Sequence, residues 1–399
     1  VVDEKPLPKG FRTAGVHCGI KADTEKFDLA LFATDGPSTA VGVFTQNRVC
    51  GAPVKVSRER VPRATVRAVV INSGNANACT GARGLEDARW MTAAVAERLG
   101  CAADDVLVCS TGMIGHFLPR EKLEAGIPLV AEQLADSPEA FANAARGMMT
   151  TDTFQKQSVR QAELGGKTVT VAGAAKGAAM IAPNMATMLA VVMTDAVLSP
   201  TEADSMLRHA VDRSFNCINV EGHTSTSDSV ILLASGAAEN SPLDDEGRQR
   251  LQGMLNEVTE DLAMAIIRDA EGAGHFITVD VRGLATRADA HCIARTVADD
   301  VLVKTAITGN DPNWGRIVSA CGRTGVELGE EHITLRINGT LIYEAGAPVA
   351  YDEAAVSNNL RDDRDVQIEL DLTLGEQSAR FWTCDLTQEY VRLNSELTT

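Results

Sequence analysis

The sequence predicts a mixed α/β protein, on three observations. Strand-like and helix-like patterns alternate through the first half, and strand patterns dominate from about Phe276 onward. Helix-start signatures recur between them, as at Ser199-Pro200-Thr201-Glu202. Hydrophobic residues make up 45% of the chain and charged residues 23%, while aromatics are only 4%, so a sizeable core must be built from small aliphatic side chains.

Taken in order, Thr65 to Ile71 is β-branched and apolar, a strand broken at Asn72, Ser73 and Gly74. Leu85 to Leu99 repeats Ala, Met and Val at three- and four-residue spacing, a helix. Val106 to Cys109 is a short buried strand ending at Ser110-Thr111-Gly112, and Arg120 to Ala142 is helical, divided at Asp136, Ser137 and Pro138. Gly165-Gly166 makes a hairpin turn into the strand Thr168 to Val171. Gly166-Lys167-Thr168 is no phosphate loop, because Gln161 stands where such a loop needs its first Gly. Thr187 to Thr194 is a buried strand, followed by the helix that Ser199 caps. Ser229 to Ala234 is another apolar strand, and Ser241-Pro242 with Asp244 opens a helix running to about Arg268. Strands follow at Thr278 to Val281, Ile333 to Ile337 and Val366 to Leu372, with an exposed loop expected from Val356 to Asp365.

A length of 399 residues allows two or three domains at roughly 150 residues each. The change of character near residue 283 suggests a core of residues 1–283 and a smaller C-terminal domain of residues 284–399. A net charge of −17 repels phosphate backbones and anionic headgroups, which argues against nucleic-acid and membrane-surface partners and leaves small molecules. Nine Cys, an odd number with no CxxC, fit buried reduced thiols. No stretch reads as a secretory signal or membrane span, so a cytoplasmic location is expected. The seven His are scattered without metal-ligand spacing, and no metal is expected.

The unusual segment runs from Lys176 to Leu189 and contains Pro183, Asn184, Ala186 and Thr187. A Thr hydroxyl is a weak nucleophile alone, but as the first residue of a chain it has its own α-amine as base. That amine titrates near ~7.7–8.0, whereas a Lys amine near ~10.4 would need a large shift. Judged on local chemistry alone, the simpler account is that Thr187 begins a core strand and Lys176-Gly177 is a turn.

The segment resembles the cleavage site of the ornithine acetyltransferase family, also called bifunctional glutamate N-acetyltransferase (ArgJ). Other blocks resemble family segments in the same order: Gly10 to Arg12, Phe44 to Arg48, Asn72 to Gly81, Ser110 to Gly112, Thr151 to Thr153, Asp311 to Arg316 and Asn394 to Thr399. The resemblance covers nearly the whole chain. It implies self-cleavage between Ala186 and Thr187, with chains 1–186 and 187–399 kept together as an assembly with two copies of each. It implies acetyl transfer from N-acetylornithine to glutamate through an acetyl-Thr187 ester, a step in arginine biosynthesis. Thr111 and Gly112 would form the oxyanion hole, and Thr153, Lys176, Thr187, Glu271, Asn394 and Thr399 would contact substrate. We expect Lys176 to face a carboxylate and Glu271 an amine. No cofactor is implied, although acetyl-CoA serves some relatives as a donor. The implied fold is a layered α/β/β/α sandwich like that of the DmpA aminopeptidase, with a smaller C-terminal α/β domain.

Two stretches depart from the family pattern. Ala178-Ala179 stands where relatives commonly carry a Gly before the Met, and Asp269 to His275 stands where they more often show Gly-Glu-Gly-Ala-Thr-Lys. The Asp311 to Arg316 block is expected to form a turn and helix start. Two other accounts use the same residues: an amidohydrolase or aminopeptidase that passes the acyl group to water, and an uncleaved scaffold.

Overall fold

The computed structural model describes residues 5–181 and 188–396. The first part supplies β1 (Phe11–Val16), β2 (Leu29–Phe44), α1 (Ala52–Arg60), β3 (Arg63–Asn75), α2 (Gly81–Leu99), β4 (Val106–Met113), α3 (Arg120–Glu132), α4 (Pro138–Met148), β5 (Lys156–Leu164) and β6 (Lys167–Lys176). The second supplies β7 (Leu189–Thr194), α5 (Pro200–Arg213), β8 (Ser229–Ala234), α6 (Asp245–Arg268), β9 (Phe276–Leu284), α7 (Arg287–Asp299), α8 (Val301–Thr308) and α9 (Trp314–Gly322). It ends with β10 (Ile333–Ile337), β11 (Thr340–Glu344), β12 (Ala347–Pro348), α10 (Glu353–Asp362), β13 (Asp365–Leu372), β14 (Gln377–Cys384) and α11 (Gln388–Glu396).

β1 to β8 make one sheet in the order β4-β3-β2-β8-β7-β6-β5, with β1 added on β2. The start of β2 pairs with β1 and β3 and its end pairs with β8, with register breaks between Ala33 and Ala40. The sheet doubles over there, and side-chain alternation records the result. Ala68, Val70, Val106 and Val108 pack outward on α1, α2 and α3. Their neighbours Val69, Ile71, Leu107 and Cys109 face inward, sharing a slab with α4 and with Ala172, Val191, Ile231 and Leu233 of the other half. On the far side Val171, Ala190, Val192 and Leu232 pack on α5 and α6. The order is helix, sheet, sheet, helix. It explains why all six residues of β7 are buried: both faces meet core, so no polar alternation survives.

The second sheet runs β12-β11-β10-β13-β9-β14, with β9 and β13 parallel, and α7 packs across β9 and β14. Its β13 buries only alternate residues fully, in keeping with one face toward core and the other more open. β9 runs across residue 283, where the change of character was expected.

Several elements differ from expectation. β3 and β4 do not break at Asn72 and Ser110 but continue to Asn75 and Met113. The polar side chains that read as turn signals satisfy one another within the buried ladder: Ser110 Oγ donates to Asn72 Oδ1 at 2.6 Å, and Asn72 Nδ2 to the Asn75 carbonyl at 2.8 Å. The helix α6 is capped by Asp244 rather than Ser241, Asp244 accepting from the Gly247 N–H at 2.8 Å. Ser241 instead spends its N–H on the Gly165 carbonyl of the β5–β6 turn. The expected loop from Val356 to Asp365 is mostly the helix α10, whose two buried residues, Val356 and Leu360, are four apart and easily hidden in a polar composition. Asn313 caps α9 as the Asp311 to Arg316 block suggested, and Ser199 with Glu202 forms a reciprocal capping box. All nine cysteines, each within the described residues, are free thiols.

Candidate active site

A cavity of about 670 Å³ opens where the ends of β3, β4 and β6 converge. Gly74, Thr111 and Gly112 form one wall, Lys176 and Met180 another, and Glu271 and Asn394 close it from the C-terminal part of the chain. That size suits a small metabolite.

The first wall is backbone. Gly74 and Gly112 are paired across the parallel strands β3 and β4, both at positive φ, +100° and +127°. A Cβ on Gly112 would lie 2.4 Å from the Gly74 carbonyl carbon, so only glycine fits. Thr111 is buried, and its Oγ1 accepts from Lys176 Nζ at 3.4 Å, which leaves its own proton to donate.

Lys176 ends β6 with only 2% of its surface exposed. Its ammonium donates to Thr150 Oγ1 at 2.8 Å and lies 4.0 Å from Asp152 Oδ2. Burial lowers its pKa, Asp152 opposes the shift, and Lys156 adds to it. Behind it, Asp152 bridges two cations. It accepts from Lys156 Nζ at 2.7 Å and from the Gly177 N–H at 2.7 Å. Burial alone would raise its pKa, but Lys176, Lys156 and the Gly177 N–H together hold it down to about 2. Lys156 also donates to Asp269 at 2.6 Å, and Asp269 accepts from the Thr153 N–H and hydroxyl. A fourth wall is the loop Ile20 to Asp23, gathered by the buried Asp28 carboxylate, which accepts from the Cys18, Gly19 and Lys21 N–H groups.

Of the residues expected at the site, Thr111, Gly112, Lys176, Glu271 and Asn394 line this one cavity, and Asn394 Nδ2 donates to Glu271 Oε2 at 3.1 Å. Thr153 lines a neighbouring cavity of about 520 Å³ and contacts the site through Asp269 and Lys156. Ala186, Thr187 and Thr399 lie outside the described residues. Sequence reasoning missed Asp28, Asp152, Lys156 and Asp269. Asp152 lies between Thr151 and Thr153 and Asp269 begins the stretch to His275, but nothing local links Lys156 to a carboxylate 113 residues away.

Residues 12–399 match the ArgJ family. The chain is 44% identical over 396 residues to the arginine biosynthesis bifunctional protein ArgJ of Rhodopirellula baltica, covering 98% of this chain and 96% of that protein. It is 45% identical over 396 residues to the protein of the same name from Symbiobacterium thermophilum, covering 98% of each. Among solved structures, the arginine biosynthesis bifunctional protein argJ of Bacillus halodurans is 40% identical, with a TM-score of 0.43, over 45% of this chain and 92% of that one.

Proposed function

The chain belongs to the ArgJ family, and on that footing we propose that it moves an acetyl group from N2-acetylornithine to glutamate through an ester on Thr187. Membership makes it an acyltransferase of arginine biosynthesis. The observation that carries the finer reading is that Lys176 and Glu271, a cation and an anion, line one cavity beside a glycine wall. Both substrates are amino acids with a carboxylate and an amine, and such a pair can hold either end.

In this reading Thr187 Oγ first attacks the Ala186 carbonyl. The peptide C–N bond breaks, an ester forms, and water hydrolyses it to a carboxylate on Ala186 and a free amine on Thr187. That amine then takes the hydroxyl proton as Oγ attacks the acetyl carbonyl of N2-acetylornithine. The oxyanion is stabilised by Thr111 and Gly112, the proton passes to the departing ornithine amine, and acetyl-Thr187 remains. Glutamate's amine attacks the ester, its proton returns through the Thr187 amine to Oγ, and N-acetylglutamate leaves. One amide is exchanged for another, so the cycle needs no external energy source or cofactor.

Chains 1–186 and 187–399 would stay together because they share one sheet: β6 pairs with β7, and β2 with β8. Each ladder crosses the cut. We extend this to the family's assembly of two copies of each chain.

Intact-mass measurement tests the reading. Wild type should give two fragments summing to the full chain plus one water, and Thr187→Ala a single unbroken chain without acetyl transfer. A fully active, uncut wild type would remove it.

A further inference from the structure

Two carboxylates, the buried Asp228 and the half-buried Glu221, grip the chain on either side of the residues of the proposed cut. Before it, Glu221 Oε1 accepts from the Ile181 N–H at 2.7 Å, while the Ile181 carbonyl accepts from the N–H groups of Val220 at 2.8 Å and Gly222 at 3.3 Å. After it, Asp228 Oδ1 accepts from the Met188 N–H at 3.1 Å, and the Met188 carbonyl accepts from the Ser229 N–H at 3.3 Å. Both carboxylates come from one connection, between Ile218 and the start of β8.

That connection is itself tied down. Lys304, buried on α8, donates to the Val220 carbonyl at 2.9 Å and to the Cys384 carbonyl at 2.7 Å. Asn219 Oδ1 accepts from Thr383 Oγ1 at 2.6 Å, and the Asp228 carbonyl accepts from the Thr45 N–H at 3.0 Å. The grip is therefore anchored to both sheets.

Neither carboxylate is there for cheap stability. Asp228 is 0% exposed, and the second oxygen of each, Glu221 Oε2 and Asp228 Oδ2, is buried without a partner among the described residues. A buried oxygen left so costs free energy. Burial also pushes Glu221 up to about 7 and Asp228 well above the ordinary carboxylate value.

We propose that Glu221 and Asp228 are positioning residues for self-cleavage, fixing Ile181 and Met188 so that the bond between Ala186 and Thr187 is confined from both ends. The Met188 N–H belongs to the planar peptide unit that also contains the Thr187 carbonyl. That plane includes the Thr187 Cα, so holding it leaves one backbone torsion, about the Cα–C bond, to set where the Thr187 side chain starts, which restricts the directions open to the hydroxyl. Confinement of this kind raises the effective concentration of nucleophile at the carbonyl it must reach.

The role rests on the cleavage proposed above, and its test separates the two. Full-length chains are made by cell-free synthesis and followed by intact mass. Wild type, Glu221→Gln and Asp228→Asn, all of which keep an oxygen acceptor, should be cut within about threefold of one another. Glu221→Ala and Asp228→Ala should be slowed at least about tenfold. In a Thr187→Ala background the same alanine changes should retain cooperative melting while speeding amide exchange at Ile181 and Met188 respectively. Folded alanine variants cut at the wild-type rate overturn the role, as do amide variants slowed as much as the alanines. If Asp228→Ala does not fold, the Glu221 pair decides by the same criterion. A wild type that is never cut removes the cleavage reading and this role together.

Discussion

Gly112 shows how little room the glycine wall of the cavity leaves. Its φ of +127° is costly for any residue with a Cβ, and the Cβ would press on the Gly74 carbonyl carbon at 2.4 Å. Gly112→Ala should therefore cost roughly 1–3 kcal/mol of stability, measured by denaturant unfolding. If the adjoining groups stabilise the oxyanion, turnover should also fall about a hundredfold or more. Unchanged kcat in a folded Gly112→Ala protein would take this position out of the chemistry. Lys176 is the polar counterpart: its ammonium is oriented by Thr150 and Thr111, and Asp152 supplies the charge that opposes its desolvation.

The turn between α6 and β9 brings Glu271 to the cavity, and its far end is bonded through Gly274 and His275. Asp385 accepts from the Gly274 and His275 N–H groups, while the His275 ring faces Asp385 Oδ2 at 2.8 Å and the Leu360 carbonyl at 2.9 Å. Both neighbours are acceptors, so both contacts are hydrogen bonds only when both ring nitrogens carry protons. The Asp385 hydrogen bond is the main cause of a pKa raised above the ordinary imidazole value; burial and Arg364 oppose it. A group raised in the folded state contributes fully below its unfolded pKa, about 6.5, and that contribution is lost as pH rises through the folded value. Melting temperature should thus fall more steeply from about pH 6.5 upward in wild type than in His275→Gln. Parallel curves would show that the imidazolium does not hold this turn.

One core cluster joins the two sheets: Val171, Ala190 and Leu232 of the first belong with Val279, Ile368 and Phe381 of the second, through α5, α6 and α7. Ile218 forms a further bridge to Trp382. Units sharing a core lose it together. In uncut Thr187→Ala, urea transitions reported by Trp90 on α2 and by Trp314 and Trp382 in the C-terminal part should coincide. Two resolved transitions would mean that residues 276–399 fold independently. Among the described residues no helix is long and apolar enough to cross a membrane.

Local chemistry was legible where a residue acts on its immediate neighbours. The capping box at Ser199, the Gly165-Gly166 turn and the apolar run of β7 were readable because caps, turns and buried strands are set by residues within about one turn of each other. The candidate site residues Lys176 and Glu271 were named through family resemblance rather than spacing. The stacked sheets were likewise expected only through that resemblance; nothing linear predicted the Lys156–Asp269 pair or the grip of Glu221 and Asp228 on Ile181 and Met188, and polar strand ends at Asn72 and Ser110 read as turns. Those features exist only once distant segments meet. Desolvation decides which polar groups must then find each other, and it depends on how the layers stack, which no stretch of the chain carries alone.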